Sequence, residues 1–438
     1  MSWGKKYLGD ICNIEKGNIG ISKAIEGEFP LVVTSEERKS HNEYQFDDEA
    51  VIIPLVSSTG HGHKSIKRIH YQDGKFAVGN ILCAVIPKDK SILNAQYLYR
   101  YLNLNKENEL VSRMKGMANV TLPIKEIANI EISLPNIDEQ FKLVERVNFI
   151  EEIKESLTAE LTRQLDLVKK LRQQLLQDAV KGKLVPQNAK DEPASELLKK
   201  IKAEKEKLIA EKKLKKEKEL SPIKPEEIPF EIPENWVWCN LGEIAILNAR
   251  IGWKGLNASE YKKEGPLFLS VHSLNYGDYV DYSQAFHISQ ERYDESPEIM
   301  LKDNDILICK DGAGIGKLGI IKDLKEQATT NSSLLVIRCF KNLNVKFIYY
   351  YLTSSHFQNI VQARIMGATT PHLYQRDLVH FYVALPPLAE QNRIVQKLDE
   401  LMQYCNELEA SIKQSESQNE KLLQQVLREA LRKELVEI

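Results

Sequence analysis

Cysteine is scarce in this chain of 438 residues, and its placement excludes more than its number does. The six are Cys12, Cys83, Cys239, Cys309, Cys339 and Cys405. No two stand at metal-ligand spacing and none forms a CxxC, so neither a zinc module nor a disulfide framework is expected. Isolated thiols fit a reducing, cytoplasmic setting. Long hydrophobic runs are also missing. Nothing approaches the roughly 20 apolar residues that span a bilayer, so no membrane partner is expected. The opening MSWGKKYLGD carries Lys5 and Lys6 without an apolar core, which is not the pattern of a secretory signal. Excess charge of one sign is lacking too, the formal net charge being −2. A polyanion binder of this composition must arrange its basic residues locally or share phosphate contacts with a partner.

What the sequence does contain is a copy of itself. WGKKYLGDI from Trp3 and WVWCNLGEI from Trp236 share Leu-Gly-acid-Ile at an offset of 233. LPNIDEQFKLVERV from Leu134 and LPPLAEQNRIVQKL from Leu385 match at an offset of 251. The second copy has therefore gained 18 residues in its middle. Each copy begins with strand-like segments and ends in a long helix. Ala50 to Val56 and Ile81 to Ile86 read as buried strands, as do Asp305 to Cys309 and Ser333 to Arg338. Gly-rich turns, Ser57 to His63 and Asp311 to Gly316, lie between them. Short helices are expected over Ala95 to Leu102 and Val345 to Leu352.

The long helices carry apolar residues at steps of three and four. In the first these are Ile150, Ile153, Leu157, Leu161, Leu165, Val168, Leu171 and Leu175, ended by Gly182 and Pro186. In the second they are Leu398, Leu401, Cys405, Leu408, Ile412, Leu422 and Val426, with Ser415 and Asn419 interrupting the stripe. Each rod should be roughly 65–75 Å long at about 1.5 Å per residue. The economical way to bury both stripes is against each other, antiparallel, with one globular copy at each end. DNA has a matching two-fold symmetry, so two heads could meet two half-sites in equivalent poses. Between the copies, Lys199 to Glu219 holds ten lysines and five glutamates, read as a solvated helix. Pro222, Pro225, Pro229 and Pro233 then make an extended linker.

Catalytic motifs do not hold up. Gly312-Ala-Gly-Ile-Gly-Lys317 lacks the flanking residues of a Walker A loop, having Asp311 and Leu318, and reads as a tight turn between strands. Pro386-Pro387 lies between leucines, not in the Asn/Asp-Pro-Pro-aromatic context of an adenine methyltransferase. His61 and His63 have no marked third ligand.

Several phrases, in order, carry a resemblance over essentially the whole chain. They are QDAVKGKLVPQ from Gln177, ASELLKKIKAEK from Ala194, FEIPENWVWCNLGEI from Phe230, MGATTPHL from Met366 and LPPLAEQNRIV from Leu385. Together they resemble the specificity subunits of type I restriction–modification enzymes. The resemblance implies α/β (α+β) target-recognition domains duplicated with pseudo-two-fold symmetry, separated by two long antiparallel coiled-coil helices. The expected layout is a first target-recognition domain over 1–137 and a central helical spacer over 138–220. A second target-recognition domain over 221–387 and a C-terminal helical spacer over 388–438 complete it. It implies no catalysis in this chain and no cofactor. Double-stranded DNA is the implied partner, with two modification (methyltransferase) subunits that bind S-adenosylmethionine. Two restriction subunits using ATP and Mg would complete the full complex. The other reading of the repeat is a coiled-coil scaffold that reads no DNA. The second copy has the family-like DILICKDGAGIGK and GATTPHL. The first has IIPLVSSTGHGHK and GMANVTLPI instead, a departure expected where different bases are read.

Side chains at base edges read sequence, whereas cations and hydroxyls on phosphates set position. In the first domain the candidates are Ser57, Ser58, Thr59, His61, His63 and Lys64, with Arg113, Lys115 and Asn119 on the matching flank. In the second they are Lys310, Asp311, Lys317, Arg364, Thr369, Thr370 and His372, with Trp253 and Lys254 in another Gly-bounded loop. Near the C-terminus Leu423, Leu427, Leu431 and Leu435 widen the apolar face beyond one helix neighbour. They are the expected docking face for modification subunits.

Overall fold

A computed structural model describes residues 3–59, 62–216, 220–249, 256, 258–275, 277–365 and 372–430. The chain forms two compact units. Unit one comprises Met1–Arg163 with Ile412–Ile438, and unit two comprises Gln164–Ser411.

In unit one, Ala50–Pro54 and Leu82–Pro87 lie at the centre of an antiparallel sheet, between Cys12–Lys16 and His70–Gln72. Their unbroken apolar sequences follow from burial on both faces. Val51, Ile53, Cys83 and Val85 enter a core with Tyr97 and Leu98 of the helix Ala95–Leu104. Ala50, Ile52, Leu82 and Ala84 point the other way, into a core with Phe76 and Val78. That second core is covered by the sheet Lys39–His41, Phe29–Val32, Lys75–Val78 and Phe46–Asp47, whose central pair is parallel. The strand Gly4–Tyr7 pairs antiparallel with Glu131–Leu134, bringing the start of the unit beside the start of the first long helix, Ile137–Val180.

Unit two repeats this plan, except that its second sheet has three strands and no counterpart of Phe46–Asp47. Ala245–Asn248, Leu334–Cys339, Asp305–Cys309 and Leu318–Ile320 form its antiparallel sheet. Ile306 and Ile308 face one core, Leu307 and Cys309 the other. Lys262–Leu269 runs parallel to Ala328–Thr330, and Val237–Asn240 pairs with Tyr382–Leu385. The added residues of the second copy fall between Leu269 and Asp305, where the helical turns Val271–Leu274, Tyr282–Gln284 and Pro297–Ile299 and the short helix Gln290–Asp294 lie.

The repeat extends to single hydrogen bonds. Gln140 and Gln391 are both fully buried. Each Oε1 accepts from the backbone N–H of the residue capping a short helix, Asn94 at 2.8 Å and Asn344 at 2.9 Å. Each Nε2 donates to the carbonyl of Pro135 or Pro386, both at 2.9 Å. The matched Glu-Gln of the sequence repeat thus ties each long helix to its own unit.

The second long helix is Leu388–Ala430. Within unit two it runs antiparallel to the end of the first. Arg172 donates to Asn406 and Glu409 at 2.7 and 3.0 Å, and further along Asp191 accepts from Arg393 at 2.6 Å. Within unit one, Leu143, Val144 and Val147 of the first helix share a core with Leu427 of the second.

Two expectations need correction. Residues 138–220 are not one spacer. After the long helix, a separate helix Ala194–Ala210 buries Leu197 and Ile201 in the core of unit two. Lys199 and Lys200 are exposed, pairing with Glu196 and Glu192, whereas Lys205 is half-buried and donates to the Gly242 carbonyl at 3.0 Å. Leu427 is not a free docking residue, because it is 8% exposed inside unit one. The wide leucine face is covered partly by this chain's own core. Leu423 is half-buried, while Leu431 and Leu435 lie outside the described residues.

One buried group makes stability depend on pH. Burial, followed by the Arg38 guanidinium 3.0 Å away, pushes His70 down to about 4. The unfolded chain takes up this proton near pH 6.5 and the folded chain does not. Stability from His70 is therefore present above about 6.5 and lost as pH falls towards 4. Urea midpoints for unit one should fall over this window in the wild type and fall less in His70→Gln.

Candidate nucleic-acid interface

Each unit folds so that the loop after its inner strand meets the loop before its long helix. In unit one, Leu55 N donates to Ile81 O at 2.8 Å and Leu122 N to Leu55 O at 2.9 Å. In unit two, Lys310 N donates to Ser333 O at 2.8 Å and Leu373 N to Lys310 O at 2.9 Å. A bridge follows in both cases, Val56 with Thr121 and Asp311 with His372. The two loops that the sequence marked separately are thus one structure, twice over.

In unit one the first loop is held by its own hydroxyls. Ser57 N donates to Val120 O at 3.0 Å, and Ser57 Oγ to His63 O at 2.5 Å. Ser58 N donates to Ser65 O at 2.8 Å, while Ser58 Oγ accepts from Lys67 N at 2.9 Å. Thr59, His63 and Lys64 stay exposed at the tip. The second loop is a hairpin in which Lys115 and Thr121 exchange both backbone hydrogen bonds at 2.8 Å, with Asn119 exposed near its end. Gly62 closes the two loops together. Its φ is +82°, and a Cβ there would lie 2.3 Å from Met117 O. Any side chain at that site would separate the loops.

The cations differ in availability. Lys115 Nζ lies 2.7 Å from Glu126, and Arg113 lies 3.3 Å from Glu109. The exposed Lys115 pair is worth little and can be exchanged for a phosphate, whereas the Arg113 pair is half-buried. Ser57, Ser58, Thr59, His63, Lys64, Lys115 and Asn119 are therefore brought onto one loop pair. Arg113 sits just behind it, on the helical turn Val111–Arg113.

In unit two the turn Gly312–Gly314 joins the strands Asp305–Cys309 and Leu318–Ile320, the tight turn expected in place of a phosphate loop. Lys310 Nζ lies 3.1 Å from one Asp311 oxygen, and His372 Nδ1 hydrogen-bonds the other. Lys317 Nζ donates to Asn275 Oδ1 at 2.6 Å. Lys310, Asp311, Lys317 and His372 thus share one loop cluster. Arg364 lies on the helix Ser355–Ile365, its side chain outside the described set. His61, Trp253, Lys254, Thr369 and Thr370 also lie outside the described residues.

Three contributors escaped the sequence reading. Asn275 anchors Lys317 from the inserted stretch, and a lone Asn in a loop gives no signal. Thr121 carries the unit-one bridge. Tyr374 packs its ring edge-on to His372 with centroids 4.4 Å apart, and the Arg376 guanidinium lies 4.8 Å from the Tyr374 ring centre. An aromatic two residues past a candidate histidine was the available clue to Tyr374.

The cluster offers hydroxyls, amides, an imidazole and lysines, the groups used on base edges and phosphates. Burial pushes the Cys12 and Cys83 thiols up to about 12, so they are not nucleophiles. Among the described residues no group of three His, Cys, Asp or Glu could hold a metal, and no helix is long and apolar enough to cross a membrane.

A family model described as the type I restriction modification DNA specificity domain matches residues 2–165 and again 233–415. Those two matches coincide with the two sequence copies. The EcoAI specificity subunit of Escherichia coli is 36% identical over 253 residues, covering 56% of this chain and 41% of that protein. The EcoEI subunit is 30% identical, covering 59% of this chain and 43% of that protein, so these alignments span under half the length of either relative. The EcoDI subunit is 21% identical over 99% of this chain and 89% of its own length. Among solved structures, the HsdS subunit from Thermoanaerobacter tengcongensis superposes with a TM-score of 0.54 at 18% identity, covering 99% of this chain and 97% of that one. A chain from a study of type I R-M assembly and conformational transition gives 0.60 at 17% identity, covering 99% and 98%. These structural likenesses establish the fold.

Proposed function

The chain belongs to the type I restriction–modification DNA specificity family, and on that premise we propose that it reads a bipartite double-stranded DNA site for enzymes it does not itself contain. Each unit contacts one half-site through its loop pair. Adenine methylation is carried out by two modification subunits with S-adenosylmethionine. ATP-driven restriction, with Mg, belongs to two restriction subunits. The assembly acts in the cytoplasm. The observation that carries this reading is the duplication itself: two units with the same hydrogen-bonded loop pair but different side chains on it. A protein that reads two unlike half-sites needs that combination.

The test is DNA binding by the chain assembled with its methyltransferase partner, measured against salt. Sequence-dependent binding should appear, with log affinity falling linearly with log salt. Replacing Lys64 and Lys317 with Gln should weaken binding to all sequences alike. It should also lower the salt slope by roughly one per lost phosphate contact. Binding by the assembly that ignores sequence would favour a scaffold role.

A further inference from the structure

Resting on the DNA-reading role proposed above, one side chain can be given a more specific task. His372 Nδ1 is hydrogen-bonded to an Asp311 carboxylate oxygen across the bridge that joins their loops. A carboxylate only accepts, so Nδ1 carries the proton, and in the neutral ring Nε2 keeps its lone pair as an acceptor. Nε2 lies on the far side of the ring from Asp311. The carboxylate is held in turn, because Lys310 Nζ engages its other oxygen at 3.1 Å. That lysine is only 14% exposed, so the anchor sits inside the cluster. The Tyr374 ring packs against the imidazole from its own segment. A hydrogen-bonded, packed ring is what a base-reading group needs, since freedom would blunt discrimination.

There is also room. Gly312 follows Asp311 with φ of +76°, and a Cβ there would meet no atom within 4 Å. His372 itself keeps 29% of its side chain exposed. In unit one the same bridge joins Val56 and Thr121, which provide neither carboxylate nor ring. The two units therefore present different chemistry at one equivalent point of their loop pairs.

We propose that His372 reads a base in the half-site of unit two, its Nε2 accepting from the exocyclic amino group of an adenine or cytosine in the major groove. Asp311 is the positioning residue that sets its tautomer and direction. Adenine N6 and cytosine N4 are both donors on that edge. Which one is read is given by the base lost in the test.

The test is methylome sequencing of cells carrying the wild type, His372→Ala or Asp311→Ala together with the partner subunits. In His372→Ala, one position of one half-site should relax from an amino-bearing base. Discrimination should fall roughly 5-fold, the low end of the range for bidentate base contacts, because the imidazole makes a single hydrogen bond. The other half-site should be unchanged. Asp311→Ala should relax the same position. If either variant methylates nothing, His372→Gln, which keeps an acceptor, is added; return of the motif supports the assignment and continued loss overturns it. An unaltered motif in His372→Ala, or relaxation spread over both half-sites, also overturns it. A wild type with no two-part motif would defeat the parent reading instead.

Discussion

Replacing Asp305 by alanine is expected to destabilise unit two by about 3–5 kcal/mol, the cost of orphaning one member of a buried ion pair. Asp305 is 1% exposed, and its two oxygens accept from Arg338 Nε at 2.7 Å and Nη2 at 2.6 Å. Lys302 N adds a third bond at 2.8 Å. Among the described residues, alanine leaves the guanidinium the Met300 carbonyl at 2.9 Å. At about 2–4 °C per kcal/mol for a unit of this size, its melting midpoint should fall by roughly 6–20 °C. Unit one shows the alternative. The strand positions matching Asp305 and Arg338 hold Ala50 and Ile86, which pack in one apolar core. The double variant Asp305→Ala, Arg338→Ile should therefore recover most of the loss, because well-packed apolar residues often replace a buried pair at little cost. A single-variant change below about 1 kcal/mol would mean that the pair is solvated in solution.

The second large effect concerns the end of the second helix. Leu427→Ala should cost unit one about 2–5 kcal/mol by emptying a site lined by Leu143, Val144 and Val147. Leu171 and Leu408, by contrast, are 44% and 49% exposed on the helix pair within unit two. Glu at both should leave stability within about 0.5 kcal/mol, as for exposed sites in general.

Much of the fold is legible in the amino-acid sequence. The strands Ala50–Pro54 and Asp305–Cys309 were legible from their short length, their β-branched residues and the turn residues that bound them, because a strand buried on both faces loses the alternation that would otherwise mark it. The helices Ile137–Val180 and Leu388–Ala430 followed from their period, and the Glu-Gln repeat marked a glutamine that proved fully buried in both copies. Periodicity, however, says that a face is apolar without saying what covers it. For that reason Leu427 was read as a partner site, and Ala194–Ala210 as part of a spacer. The candidate loops were legible as Gly-rich turns. Their pairing was not, because the Asp311–His372 bridge joins residues 61 positions apart through a strand register that no local pattern encodes. Asn275 was hidden for the same reason, since only the packing of the inserted stretch brings it to Lys317.

The most direct measurement is the adenine-methylation map of a cell's genome with the gene present and with it deleted. The duplicated units predict a motif of two short, unlike, specified parts separated by a fixed unspecified gap, and its disappearance on deletion. A single uninterrupted motif, or a map that does not change when the gene is removed, would contradict the claim that this chain is a two-headed reader.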